Sequence, residues 1–244
     1  MNETTIGPGR LADVAVCAAG DRWTLIFSRD LRHPPKKVWA ALTDPDQLAR
    51  WAPFLASRDL TITGDATLTM VDGDVRQDLP VTVTRSEPHT LLEYTWGTDD
   101  LRWELAAIGV DPEDGATTPD PSGDHAGSPT TAGSGTASTG TTASPTTASF
   151  GSASTGTASS GTASTAASTG TRLTLRHTIS NRGWVPKVAA GWHLCLLVAE
   201  RLLDGHPIDP IRGQEAHNHG WDDLNRAYAG ELGIPATGLP ESPT

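Results

Sequence analysis

Positive charge is scarce in this chain. Eighteen Lys+Arg stand against 29 Asp+Glu, a formal charge of −11 over 244 residues. An acidic surface repels phosphate backbones, which argues against a general nucleic-acid binder. Cysteine is nearly absent: Cys17 and Cys195 cannot form a disulfide framework and read as reduced thiols. A single Cys17–Cys195 bridge is the alternative, with nothing in the sequence pointing to it. No apolar run approaches the roughly 18 residues needed to cross a bilayer. The first residues, Met1 to Thr5, lack the cationic start of a secretory signal. The expectation is a cytoplasmic protein with no membrane segment. Phe and Tyr are also few, 3 and 2, whereas Trp is abundant at 8. The phosphate-cradling Gly-x-x-x-x-Gly-Lys run and the dinucleotide fingerprint are both missing, so no cofactor is expected.

The low charged fraction, 19%, and the low hydrophobic fraction, 36%, share one cause. From Ala126 to Thr171 the chain uses only Ala, Gly, Ser, Thr and Pro, apart from Phe150, and Gly-Thr-Ala-Ser recurs at Gly135, Gly156 and Gly161. Such a tract has too little apolar surface to offset the entropy of ordering it. The acidic, proline-bearing run from Asp111 to Asp124 joins it, so residues 111–171 read as a disordered, linker-like insertion. Upstream, Leu101, Trp103 and Leu105 alternate with polar residues; downstream, Leu173, Leu175, His177 and Ile179 do the same. Two segments of period two flanking a loop describe an expanded hairpin. Closing a loop of about 60 residues in place of about four costs only ~2 kcal/mol. The predicted organisation is an N-terminal tail over 1–9, one domain over 10–233 interrupted at 111–171, and a C-terminal tail over 234–244.

The remaining chain predicts strands at 10–16 and 21–31 about an Ala-Ala-Gly-Asp turn. A helix opens at Pro34-Pro35, since proline suits a first turn whose N–H is unpaired anyway. A second helix is capped by Asp44. Strands follow at 56–63, 66–72, 74–85, 90–96 and 101–107, with Asp72-Gly73 as a tight turn. Near the end, Val188, Trp192, Cys195, Ala199 and Leu202 form one helical stripe, and Leu194, Leu196, Leu197 and Val198 fill other faces. A helix so apolar needs cover, from a second stripe (Trp221, Leu224, Tyr228, Leu232) or from another subunit. The class is α+β.

This order of elements resembles the helix-grip fold of START-like (SRPBCC) proteins, a curved antiparallel sheet around a long C-terminal helix. Phe27 to Leu31 followed by His33-Pro34-Pro35-Lys36-Lys37-Val38-Trp39-Ala40-Ala41-Leu42-Thr43-Asp44-Pro45 is similar to the N-terminal signature of the activator-of-heat-shock-protein-ATPase homologue family, a branch that shares its fold with polyketide cyclases. Trp51 and Pro53 fit its next motif, and Gly191 to Leu196 with Leu203-Asp204-Gly205 fit its terminal helix. The insertion departs from the family pattern.

The resemblance implies a cavity between sheet and terminal helix. Its lining is expected to include Tyr94 and Trp96 on one strand, Trp103 on the next, His177 on the last, and Trp192 on the helix, with Trp51 and Phe54 near the mouth. Indoles with one or two polar groups suit an apolar or aromatic small molecule. The same residues could equally be core packing. Buried in an apolar row, His177 could serve as a general acid or base, orient a ligand carbonyl, or bond a backbone carbonyl; no partner carboxylate is identifiable. His193 is expected on a flank of the helix. His217-Asn218-His219 reads as a solvated loop, because His-x-His converges on a metal only when extended; no metal is expected. The leading function is non-catalytic binding of a hydrophobic small molecule. The alternatives are a chaperone-linked or self-associating interaction module, which needs an exposed apolar patch, and a polyketide cyclase or aromatase-like enzyme relying on His177.

Overall fold

The computed structural model describes residues 9–109 and 169–236. Eight antiparallel strands form one sheet: β1 (Asp13–Ala19), β2 (Arg22–Leu31), β3 (Phe54–Ala56), β4 (Gly64–Asp72), β5 (Val75–Glu87), β6 (Leu91–Trp96), β7 (Asp99–Gly109) and β8 (Thr169–Ile179). Their order across the sheet is β1-β2-β8-β7-β6-β5-β4-β3. Helices α1 (Pro35–Thr43) and α2 (Pro45–Leu48) connect β2 to the far edge. The long helix α3 (Val185–Leu203) and the terminal helix α4 (Trp221–Leu232) follow β8. This is an α+β, START-like arrangement.

The turns form where the sequence marks them. Gly20 takes φ +65° between β1 and β2, and Gly73 takes φ +55° in the two-residue connection that leaves Asp72 paired with Val75. The Asp44 carboxylate accepts from the Asp46 N–H at 2.8 Å and caps α2. The alternating segments at 101–109 and 169–179 pair antiparallel, from Asp100 with Thr178 to Gly109 with Thr169. The insertion expected over 111–171 lies outside the described residues as far as 168. Its last residues do not belong to it: Gly170 and Thr171 pair with Ile108 and Ala107, and the buried Thr171 hydroxyl donates to the His33 carbonyl at 2.6 Å. The tail expected from 234 also starts too early, because Ile234 is buried in the core.

One predicted strand is absent. Of residues 56–63 only Ala56 belongs to β3; the rest turn. The Arg58 guanidinium donates to the carbonyls of Asp59, Ile62, Gly64 and Asp65, all at 2.7–2.8 Å, and so gathers the loop around itself. Leu60 is drawn fully into the core and its N–H bonds the Thr43 carbonyl, while Ile62 is left exposed.

The core lies on the inner face of the sheet. It takes Leu25 and Phe27 from β2, Leu92 and Tyr94 from β6, Leu101, Trp103 and Leu105 from β7, and Leu173 and Leu175 from β8. Helix α3 is buried on nearly every side, and α4 supplies the missing cover: Trp221, Leu224 and Tyr228 are buried and α4 packs on both α3 and β1. Among the described residues, no helix is long and apolar enough to cross a membrane.

Candidate functional site

Period-two geometry places the aromatic set. On β6, Leu92, Tyr94 and Trp96 share a face; on β7 the same face carries Asp99, Leu101, Trp103 and Leu105. The register pairs Trp96 with Asp99, Tyr94 with Leu101, and Leu101 in turn with His177 on β8. Helix α3 lowers Trp192 onto this face. Its ring meets Trp103 edge to face with centroids 5.1 Å apart, Trp96 at 5.9 Å and His177 at 6.2 Å. Trp51 abuts Trp103 at 6.4 Å, and Phe54 abuts Trp96 at 5.1 Å. Edge-to-face pairs of this kind each contribute about 0.5–1.5 kcal/mol beyond the area they bury.

Each of the deep indoles has an acceptor for its N–H. Trp51 donates to the Ala41 carbonyl at 2.8 Å, Trp103 to the Tyr94 hydroxyl at 3.1 Å, and Trp192 to Nδ1 of His177 at 3.1 Å. Burial pushes the Tyr94 phenol well above its ordinary pKa, so it stays protonated, and its oxygen accepts from Trp103. Trp51 and Phe54 were expected near a mouth. Both are 1% exposed and belong to the interior, Trp51 because its indole closes on the end of α1. Trp96 is the exception in the set, only half-buried, at the end of β6 where the hairpin Gly97-Thr98 meets solvent.

His177 is 5% exposed. An indole N–H only donates, so the Trp192 bond requires a lone pair on Nδ1. The neutral ring therefore carries its proton on Nε2. That Nε2 is buried and makes no hydrogen bond, while the Asp99 carboxylate stands 3.4 Å away. Arg22 lies 3.9 Å from the other Asp99 oxygen and bonds Asp100 at 2.5 Å. Thus the expected backbone-carbonyl partner of His177 is replaced by an indole. The missing carboxylate is Asp99, which the alternation would have revealed if it had been extended two residues back from Leu101.

The other histidines fall elsewhere. His193 was expected on a flank, yet it is fully buried, with Nδ1 2.7 Å from the Tyr228 hydroxyl, which also accepts from the Ala12 N–H at 3.0 Å. Residues 213–219 form a 3-10 helix, so His217 and His219 do not converge; they face Asp222 at 2.8 Å and Glu215 at 3.7 Å. Among the described residues, no group of three or more His, Cys, Asp or Glu could hold a metal. A shallow, open hollow lined by Ser57, Asp65, Thr67, Pro80 and Thr82 contains none of the predicted site residues.

Residues 32–120 match the family model described as Activator of Hsp90 ATPase homolog 1-like protein. Among curated proteins, none matches the chain in sequence. The fold is similar to a conserved protein of unknown function, EF2215 from Enterococcus faecalis, at TM-score 0.50 and 11% identity, covering 89% of each chain. CalU16 from Micromonospora echinospora superposes at TM-score 0.47 and 14% identity over 90% of this chain and 95% of its own. DynU16, from the dynemicin biosynthetic locus, gives 0.48 and 18% over 80% and 52%. The family match contains the His33–Pro45 motif, and the solved neighbour shares the fold.

Proposed function

We propose that this START-like domain binds an apolar or aromatic small molecule without transforming it, at the end of the inner sheet face where Trp96, Trp192 and His177 meet. The observation that carries this reading is an asymmetry within one aromatic cluster. The deep indoles are fixed by hydrogen bonds, whereas the Trp96 indole is half-buried, makes no hydrogen bond and packs against the rings of Phe54, Trp192 and His177. A molecule that takes the place of this one indole finds aromatic walls already in position. The sheet-to-helix cavity expected from the sequence is narrowed by this reading to the Trp96 end, because Trp51, Trp103 and Trp192 pack ring against ring. Two free thiols, with Cys195 buried and its pKa pushed up to about 12, fit a reducing cytoplasm.

The electronics of His177 favour binding over cyclase-type catalysis. With Nδ1 accepting from Trp192 and Nε2 protonated, the ring has no free lone pair to take a substrate proton. A chaperone-docking role would want an apolar patch on the terminal helices. Among the described residues, the exposed large apolar side chains are instead Ile62 in the loop before β4, Val75 at the start of β5 and Trp184 just before α3, three separate places along the chain.

Titration with fluorene, a flat hydrocarbon, tests the proposal. Saturable quenching of tryptophan emission is expected, with a rise in melting temperature; ligand at 100 times Kd adds about 2.7 kcal/mol. Absence of both in the native chain and in a Trp96→Ala variant would dismiss it.

A further inference from the structure

Granting that small-molecule reading, the geometry points to the chemical class of the molecule: we infer that the Trp96 slot selects a flat, uncharged compound bearing a carbonyl-type hydrogen-bond acceptor, which receives the Nε2–H of His177. Three observations converge. The Trp192 bond to Nδ1 locks the imidazole tautomer, so the ring presents a donor and nothing else at Nε2. That donor is buried and makes no hydrogen bond within the fold; its nearest acceptor, the Asp99 carboxylate, stands 3.4 Å away, too poorly placed to satisfy it, so a better-placed acceptor is favoured. Finally, the Asp99 carboxylate beside it, 3.4 Å away, sets the sign of charge that is tolerated. An anionic ligand oxygen would be repelled by Asp99. A neutral carbonyl oxygen keeps the hydrogen bond and avoids the repulsion.

The walls supply the other half of the specificity. Phe54, Trp192 and His177 contact the Trp96 ring at centroid distances of 5.1, 5.9 and 6.4 Å. Removing that half-buried indole leaves a space of roughly indole dimensions bordered by three rings. Among the described residues the Trp96 indole N–H makes no hydrogen bond, though its backbone pairs with Asp99, and Gly97, with φ +59°, begins the turn behind it. Rotating Trp96 outward therefore breaks ring contacts and no polar bond. The occupant stacks where the indole stood and aims its acceptor at His177.

Matched probes separate this inference from the reading it rests on. Fluorene, 9-fluorenone and fluorene-9-carboxylate share one ring body and differ in the polar group. Tryptophan quenching of the full chain should give 9-fluorenone about tenfold tighter binding than fluorene, as one buried hydrogen bond gained against one donor left bare, with the carboxylate weakest. His177→Phe should bind the two neutral probes equally. His177→Gln should restore the preference, because its amide oxygen can accept from Trp192 while its N–H serves the ligand. Trp192→Phe frees the tautomer and should reduce the preference even if the His177 variants fold poorly. Trp96→Ala should tighten both neutral probes without changing their ratio. Equal affinity of the native chain for fluorene and 9-fluorenone, tightest binding by the carboxylate, or an unchanged preference in Trp192→Phe each overturns the inference and leaves the binding reading standing. No binding by any probe removes the binding reading itself.

Discussion

Two buried histidines, His177 on β8 and His193 on α3, make a useful contrast. Each has its Nδ1 against an aromatic residue: Trp192 N–H for His177, the Tyr228 hydroxyl for His193. On the His193 side the contacts run onward, through Tyr228 to the Ala12 N–H, and tie α3, α4 and the chain before β1 together. Burial pushes the Tyr228 phenol up to about 12, so it remains a neutral hydroxyl across the physiological range. On the His177 side the chain of bonds stops at Nε2, beside the half-buried Trp96 indole and the partly exposed Asp99 carboxylate. The same residue type is structural where its surroundings use it up. It is available for recognition where one polar atom is left over at the edge of the core.

The largest way to break this contrast is Trp192→Ala. It removes an indole that meets Trp96, Trp103 and His177, and it strips His177 Nδ1 of its donor. A loss of ~3–5 kcal/mol is expected in a urea melt, with NMR showing the His177 imidazole disturbed and that of His193 unchanged. Tyr228→Phe attacks the other side. It leaves the Ala12 amide and His193 Nδ1 without the hydroxyl, so stability should fall by ~1–3 kcal/mol. Hydrogen exchange at Ala12 should accelerate while the β7–β8 ladder stays protected. His177→Phe should cost ~1–2 kcal/mol, as the Trp192 N–H loses its acceptor, and His177→Gln should recover most of it. Equal damage from these two variants would mean that the imidazole is valued for shape alone.

The smallest effect belongs to an exposed pair, Asp30 with Arg172, bonded at 2.8 Å through both oxygens. The guanidinium holds the Asp30 carboxyl below its ordinary pKa. A depressed folded-state pKa contributes stability that is present above the unfolded value, about 3.9, and is lost as pH falls through the folded one. Asp30→Asn should therefore lower the melting temperature slightly at pH 6, and the difference should vanish in strong acid. Such screened surface pairs are weak, which makes this variant a control for both buried networks.

The alternation of apolar residues marks most of the inner face: Leu92-Tyr94, Leu101-Trp103-Leu105 and Leu173-Leu175-His177 are all buried. The motif at His33–Pro45 likewise announced α1, α2 and the capping Asp44. Three things were not legible, each for a physical reason. Leu60-Thr61-Ile62-Thr63 has the β-branched look of a strand, but Arg58 satisfies the carbonyls that a neighbouring strand would otherwise claim. Asp99 precedes the strand predicted from 101, although its parity with Leu101 and Trp103 puts it on the face that carries His177. His193 is one residue from Trp192, hence about 100° around the helix. Whether that direction meets solvent or α4 depends on where the terminal helix docks, which no local pattern states.

The position of β8 bears on how the molecule comes into being. Its neighbours are β2, made far earlier, and β7, from which residues 110–168 separate it. Until β8 is made, the β1–β2 hairpin and the β3-to-β7 meander each lack the neighbour that the finished sheet gives them. The final strand is the seam that sews them together. A translating ribosome halted ahead of Thr169 would thus hold two unjoined half-sheets, both hungry for a strand, and a synthetic peptide spanning 169–179 is the natural thing to offer them.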